Sequence, residues 1–84
     1  MSQYKNDVRN FFSRQFNTEK LSDNDDIFSS GYANSLFAMQ LIAWIEKDFD
    51  VTVEDDDLQL TNFNSISAVA AFIQKKRSPA SAET

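Results

Sequence analysis

The 84-residue sequence predicts an all-α fold, a small four-helix bundle of three main helices and one short helix with a long first loop. Three observations lead there. One glycine and one proline supply too few turn formers for an all-β fold. Three segments repeat their apolar residues at helical spacing. The one run of strand formers, Val51-Thr52-Val53, has nothing to pair with and is expected as an extended connector.

In the first segment Tyr4, Val8, Phe11, Phe12 and Phe16 make one apolar stripe, which predicts a helix over about residues 3–16. A long connection follows, from about Asn17 to Asn34. Loops of that length tend to be functional, and Ile27 and Phe28 are expected to pin this one to the core. The second helix is expected from about Leu36 to Phe49, roughly 21 Å long. Its core stripe is Ala38, Leu41, Ile42, Ile45 and Phe49, within roughly 100° of arc. Phe37 and Trp44 fall together off that stripe, and Leu36 and Ala43 flank the polar side, so this helix is more apolar than one core requires. Leu58, Leu60 and Phe63 are expected to plug the core from a short helical turn. The last helix carries Ile66, Val69, Ala70, Phe72 and Ile73, begins at an Asn64 or Ser65 cap, and ends in Lys75-Lys76-Arg77. Those cations suit the negative end of the helix dipole. One domain is expected over residues 1–77, with Ser78 to Thr84 as a frayed tail because it lacks any large apolar residue.

Composition removes most catalytic chemistry. The chain has no cysteine and no histidine, so it has no disulfide, no thiolate nucleophile and no imidazole base or ligand. A net charge of -5 opposes nucleic acid and anionic membrane as partners and favours basic ones. The acidity is local. Between Glu19 and Asp57 lie eleven acids against Lys20 and Lys47, whereas both flanks are net positive. The N-terminus is polar and no run approaches the roughly 20 apolar residues of a membrane span, so a cytoplasmic protein is expected.

Neither acidic cluster fits a calcium loop. Counted from Asp23, the fifth and sixth positions hold Ile27 and Phe28, and counted from Asp55 the sixth is Leu60 where glycine is required. A solvated acidic surface is the better reading of both. Ser35 has no base to activate it, which excludes triad chemistry. What remains is Gly31-Tyr32-Ala33-Asn34-Ser35-Leu36. Either Asn34 or Ser35 simply caps the second helix, or Ser35 is displayed on its first turn for modification by a phosphate, which helix N–H groups and the dipole favour by roughly 0.3–1 kcal/mol.

The lead Asp25-Asp26-Ile27-Phe28-Ser29-Ser30-Gly31 and the tripeptide Asn34-Ser35-Leu36 resemble the acyl and peptidyl carrier proteins, whose signature is a serine in Asp-Ser-Leu at the start of helix two. The likeness continues through Glu46-Lys47-Asp48-Phe49, Asp50-Val51-Thr52-Val53 and the last helix, and covers about residues 4–76. It implies that a phosphopantetheinyl transferase attaches 4'-phosphopantetheine to Ser35, that the chain is a carrier and not an enzyme, and that the reactive sulfur belongs to the cofactor. It also implies docking of partner enzymes on helix two, at Asn34, Leu36, Met39, Gln40 and Ala43. These partners would be acyl-loading, modifying and synthase or acyltransferase enzymes with basic or apolar patches, met by a monomeric carrier.

Asn34 replaces the usual aspartate, which keeps a capping oxygen and loses a charge. Phe37 and Gln40 stand where acids are common, and Lys47 interrupts the acidic end. Docking is therefore expected to lean on apolar contacts at Phe37 and Trp44, unless the long loop or the third-helix connector covers that pair. The stretch from Asn34 to Leu41 is most similar to free-standing carriers of hydroxymalonyl, methoxymalonyl or aminomalonyl extender units for polyketide or hybrid peptide synthases. An amino-acid carrier of peptidyl or D-alanyl type, and a non-carrier acidic adaptor, are the alternatives.

Overall fold

The first apolar stripe winds into α1, Lys5–Gln15, and buries Val8, Phe11 and Phe12. The computed structural model describes residues 4–77. The expected tail at 78–84 lies outside the described residues. Phe16 turns extended and ends α1, its N–H donating to the Phe12 carbonyl at 3.0 Å. After the long loop come α2, Ser35–Phe49, a 3-10 turn over Asp55–Asp57, α3, Leu60–Phe63, and α4, Ile66–Arg77. The described residues contain these four α-helices and no strand, and Val51 to Val53 lie in a connector without regular structure.

Each helix end has a local cause. α2 stops at Asp50, whose φ of 54° is left-handed, a conformation that breaks helix geometry and is usually left to glycine or asparagine. Ser65 caps α4, its hydroxyl accepting the Ala68 N–H at 3.0 Å. The three closing cations of α4 also fasten other elements. Arg77 donates to the Phe49 carbonyl at the end of α2. Lys76 pairs with Asp57 at 2.8 Å, in a contact that leaves each side chain about one-fifth exposed. Asp57 also accepts the Glu54 N–H at 3.0 Å in a capping box, so one carboxylate closes the 3-10 turn and ties it to α4.

The loop between α1 and α2 is tied to two neighbours. Arg9 donates to the carbonyls of Thr18 and Leu21 at 3.2 and 2.9 Å and to the Asp23 carboxylate at 2.7 Å. On the other side Ile27 N–H donates to the Asn64 carbonyl at 2.8 Å and Ser67 N–H to the Asp23 carbonyl at 2.9 Å. Ile27 is fully buried, as expected of a pin, and Phe28 is half-buried against the core.

Two expectations about the core are corrected. Phe37 is only 6% exposed and belongs to the core. It meets Phe11, Phe12 and Phe16 at ring-centroid distances of 6.0, 5.3 and 5.4 Å. Trp44 is half-buried, stacked on Phe11 at 4.5 Å and edge-on to Phe49 at 5.1 Å. Their cover is therefore α1, neither the long loop nor the connector. The reason is that α2 is gripped on two sides: the stripe Phe37, Leu41 and Ile45 is buried, and Ile42 and Phe49 pack half-buried beside it. The second correction concerns the plug. Phe63 is buried, but Leu58 and Leu60 remain 53% and 64% exposed. A four-residue α3 presents one side to the core, and Phe63 takes it.

Phe37→Ala is expected to remove about 3 kcal/mol or more of unfolding free energy, whereas Met39→Ala, at a position 68% exposed, should change it by no more than about 0.5 kcal/mol. Urea titration followed by far-UV circular dichroism reads both, and equal losses would remove Phe37 from the core.

Lys76, first, and the Glu54 N–H hold the Asp57 carboxyl below its ordinary value. A carboxylate with a depressed folded-state value stabilises the fold above the unfolded carboxylate range and loses that contribution as the pH falls through the folded value. Asp57→Asn should therefore cost up to about 1 kcal/mol at neutral pH, with the gap from wild type closing as the solution is taken from about pH 5 toward pH 2. A gap that persists undiminished in acid would contradict the ion pair.

Candidate functional site

At the start of α2 the capping is done by Asn34. Its backbone is extended and its side-chain oxygen accepts the Phe37 N–H at 3.1 Å, while its carbonyl accepts the Ala38 N–H at 3.0 Å. Ser35 is therefore the first helical residue and is spared the capping role. It is exposed, and its hydroxyl takes part in no hydrogen bond among the described residues. The N–H groups of Ser35 and Leu36 likewise meet no protein acceptor among those residues. A free primary hydroxyl beside open helix-start amides is a suitable anchor for a phosphate ester.

The chain leading to Ser35 is shaped by local hydrogen bonds. Asp26 accepts the N–H groups of Phe28 and Ser29 at 2.9 and 3.0 Å, an Asx turn. Those bonds, the one from Ser29 foremost, hold its carboxyl below the ordinary value. Asp25 accepts from Ser22 through both backbone and hydroxyl, at 2.9 and 3.0 Å. Gly31 sits at a φ of +85°, and although space around it is open, side-chain-bearing residues rarely adopt that conformation. The Ala33 N–H then returns to the Ile27 carbonyl at 3.0 Å, which closes the turn just before Asn34.

Of the residues expected to face partners, Asn34, Leu36, Met39, Gln40 and Ala43 are exposed, together with Ser35. Leu36 and Met39 are 63% and 68% exposed. Phe37 is removed from that face by its burial, and Trp44 lies half-buried on the opposite side of α2, against α1. The face that holds Ser35 continues through Ala38 and Ile42, at steps of three and four residues, into an open apolar cleft of about 190 Å³. Phe28 and Phe63 also line it, and Leu58 and Leu60 make its far wall. The exposed position of those two leucines was not read from the sequence. The only sequence signal for it is the brevity of the helical turn that carries them.

The first turn of α2 holds no acid. Asp23 is compensated by Arg9 and Lys5, and its carboxyl is held low chiefly by the hydrogen bond from Arg9. Asp57 is compensated by Lys76. Exposed acid is left on the second half of α2, at Glu46 and Asp48, and along the connector at Glu54, Asp55 and Asp56. Among the described residues no three acids converge as a metal site, and no helix is long and apolar enough to cross a membrane.

Among individual curated proteins and solved structures, no match to the chain emerged. A family model described as the phosphopantetheine attachment site matches residues 6–73, from the first turns of α1 to the middle of α4. The match spans the loop, the start of α2 and the cleft. The chain thus belongs to the phosphopantetheine attachment site family, whose members are carriers and not enzymes, with 4'-phosphopantetheine as their covalently bound cofactor.

Proposed function

We propose that this protein holds an acyl group as a thioester on 4'-phosphopantetheine attached at Ser35, and delivers it to the enzymes that load, modify and use it. The observation that carries this reading is the division of labour at the start of α2: Asn34 caps the helix, which leaves the Ser35 hydroxyl exposed and unengaged. The cofactor supplies the thiol that the chain lacks. Asn34, Leu36, Met39, Gln40 and Ala43 form the surface that partners meet around it. The cargo is a malonyl-type extender unit bearing a hydroxy, methoxy or amino substituent, for polyketide or hybrid peptide assembly. This is supported by the likeness of the Asn34 to Leu41 stretch to carriers of such units. The carrier works as a monomer in the cytoplasm.

Incubation with coenzyme A and a broad-specificity phosphopantetheinyl transferase should add one phosphopantetheine to the intact mass, and Ser35→Ala should abolish the increment. An unmodified wild-type chain, under conditions that modify a control carrier, would sink the reading. Intact mass of the protein from its native producer reads the cargo, with a substituted malonyl group expected and an aminoacyl group contradicting the extender assignment.

A further inference from the structure

A phosphodiester on Ser35 adds an anion to a chain whose net charge is already -5. From Ile27 to Ile45 no side chain is charged, and the nearest charges along the sequence, Asp26 and Glu46, are both acids. What the start of α2 offers an anion is therefore a set of neutral donors. The N–H groups of Ser35 and Leu36 are open among the described residues, but every helix start has such amides. The feature particular to this one is Asn34.

Capping does not by itself call for an asparagine. Asparagine and aspartate cap about equally well, because the cap needs only a side-chain oxygen, and glycine in their place costs little. Asn34 spends its Oδ1 on the Phe37 N–H, at 3.1 Å. That bond fixes which way the amide faces, and it leaves both Nδ2 hydrogens without an acceptor among the described residues. Phe37 is itself held in the core, so the orientation of the amide is inherited from buried packing. An aspartate here would keep the cap and set a second anion beside the phosphate. The asparagine keeps the cap and brings two more donors.

We propose that Asn34 is a positioning residue for the prosthetic group: its Nδ2 hydrogens donate to the phosphodiester on Ser35 and hold it against the open N–H groups of Ser35 and Leu36. One side chain then ties the helix start through its oxygen and the phosphate through its nitrogen. Attachment of the group tightens the start of α2, so the modified chain is the more stable form. The inference rests on Ser35 as the attachment site and gives Asn34 a task beyond capping.

The test compares melting of the full chain before and after modification by a broad-specificity transferase, with completeness checked by intact mass. Modification should raise the wild-type transition by about 2–4 °C. In Asn34→Gly, which lacks both donor and charge, the rise should fall to less than half of that. Asn34→Asp should melt close to wild type before modification and lower after it. In 1H–15N spectra of the wild type, one Asn34 side-chain amide proton should move downfield on modification. The Asn17 pair, whose Oδ1 likewise holds a backbone N–H, should stay in place.

An equal rise in Asn34→Gly overturns the proposal, because it assigns the effect to the helix amides or to packing of the arm elsewhere. So does a rise in Asn34→Asp as large as that of wild type, or an Asn34 resonance that does not move. A modified wild type whose transition stays where it was overturns this inference alone. A wild-type chain that takes no phosphopantetheine overturns the attachment reading and this inference with it.

Discussion

The insertion of Phe37 into the aromatic row of α1 is the constraint that orders the rest of the molecule. The ring is 6% exposed and lies among Phe11, Phe12 and Phe16. Successive helical residues are turned by about 100°, so a residue two positions before a buried one points to the opposite side. Burying Phe37 thereby fixes Ser35 outward. The same rotation carries Leu41 and Ile45 inward and leaves Leu36 and Met39 exposed. Aromatic packing at four rings sets the angle of α2 more firmly than a stripe of small aliphatic residues would, because large rings have few alternative placements.

Rotation alone does not place the start of α2, because a long connection precedes it. Arg9 supplies the missing constraint. Its guanidinium gathers two loop carbonyls and the Asp23 carboxylate, all from α1, an element already fixed in the core. Charge-assisted bonds of this kind contribute about 1.5–3 kcal/mol where they are shielded, and less here, because the arginine side chain is one-third exposed. The backbone bonds from Ile27 to Asn64 and from Ser67 to Asp23 fasten the loop to the other end of the chain. The loop thus joins α1 to the start of α4 while delivering Asn34 to its cap, and it works as a third layer of structure.

Much of this was legible in the sequence. The stripes of α1 and α4 gave both helices and their buried residues, since each meets the core on one face and a single periodicity describes it. The connector around Val51 followed from propensity and the pinning role of Ile27 from its place in a largely polar loop, whereas Leu21, 4% exposed and a second anchor of that loop, was not singled out. Ser35 stood out because the chain offers no base, thiol or imidazole to compete with it. Phe37 and Trp44 were ambiguous for a physical reason: α2 is packed on two sides, and a hydrophobic pattern says that a face is buried without saying which neighbour buries it. Leu58 and Leu60 misled because a short turn and a core plug share the same composition. Arg9 was illegible, since two of its three contacts are backbone carbonyls, which have no sequence signature, and the third, Asp23, lies fourteen residues away.

The acidity that dominates the composition divides into two kinds. Asp23 and Asp57 are structural, each held by cations from a helix and each lowered in proton affinity by that contact. On the second half of α2, Glu46 accepts the Val53 N–H at 2.9 Å, while Asp48 is exposed and lies thirteen residues beyond Ser35, about 20 Å along the helix. That is roughly two Debye lengths at physiological ionic strength. Those charges orient an approaching protein and leave little field at the serine itself. Close to Ser35 the surface is a helix start without acids, flanked by Leu36 and Met39. On the proposed attachment at Ser35, discrimination among partners at short range comes from shape and apolar contact, with long-range attraction to basic surfaces serving the encounter.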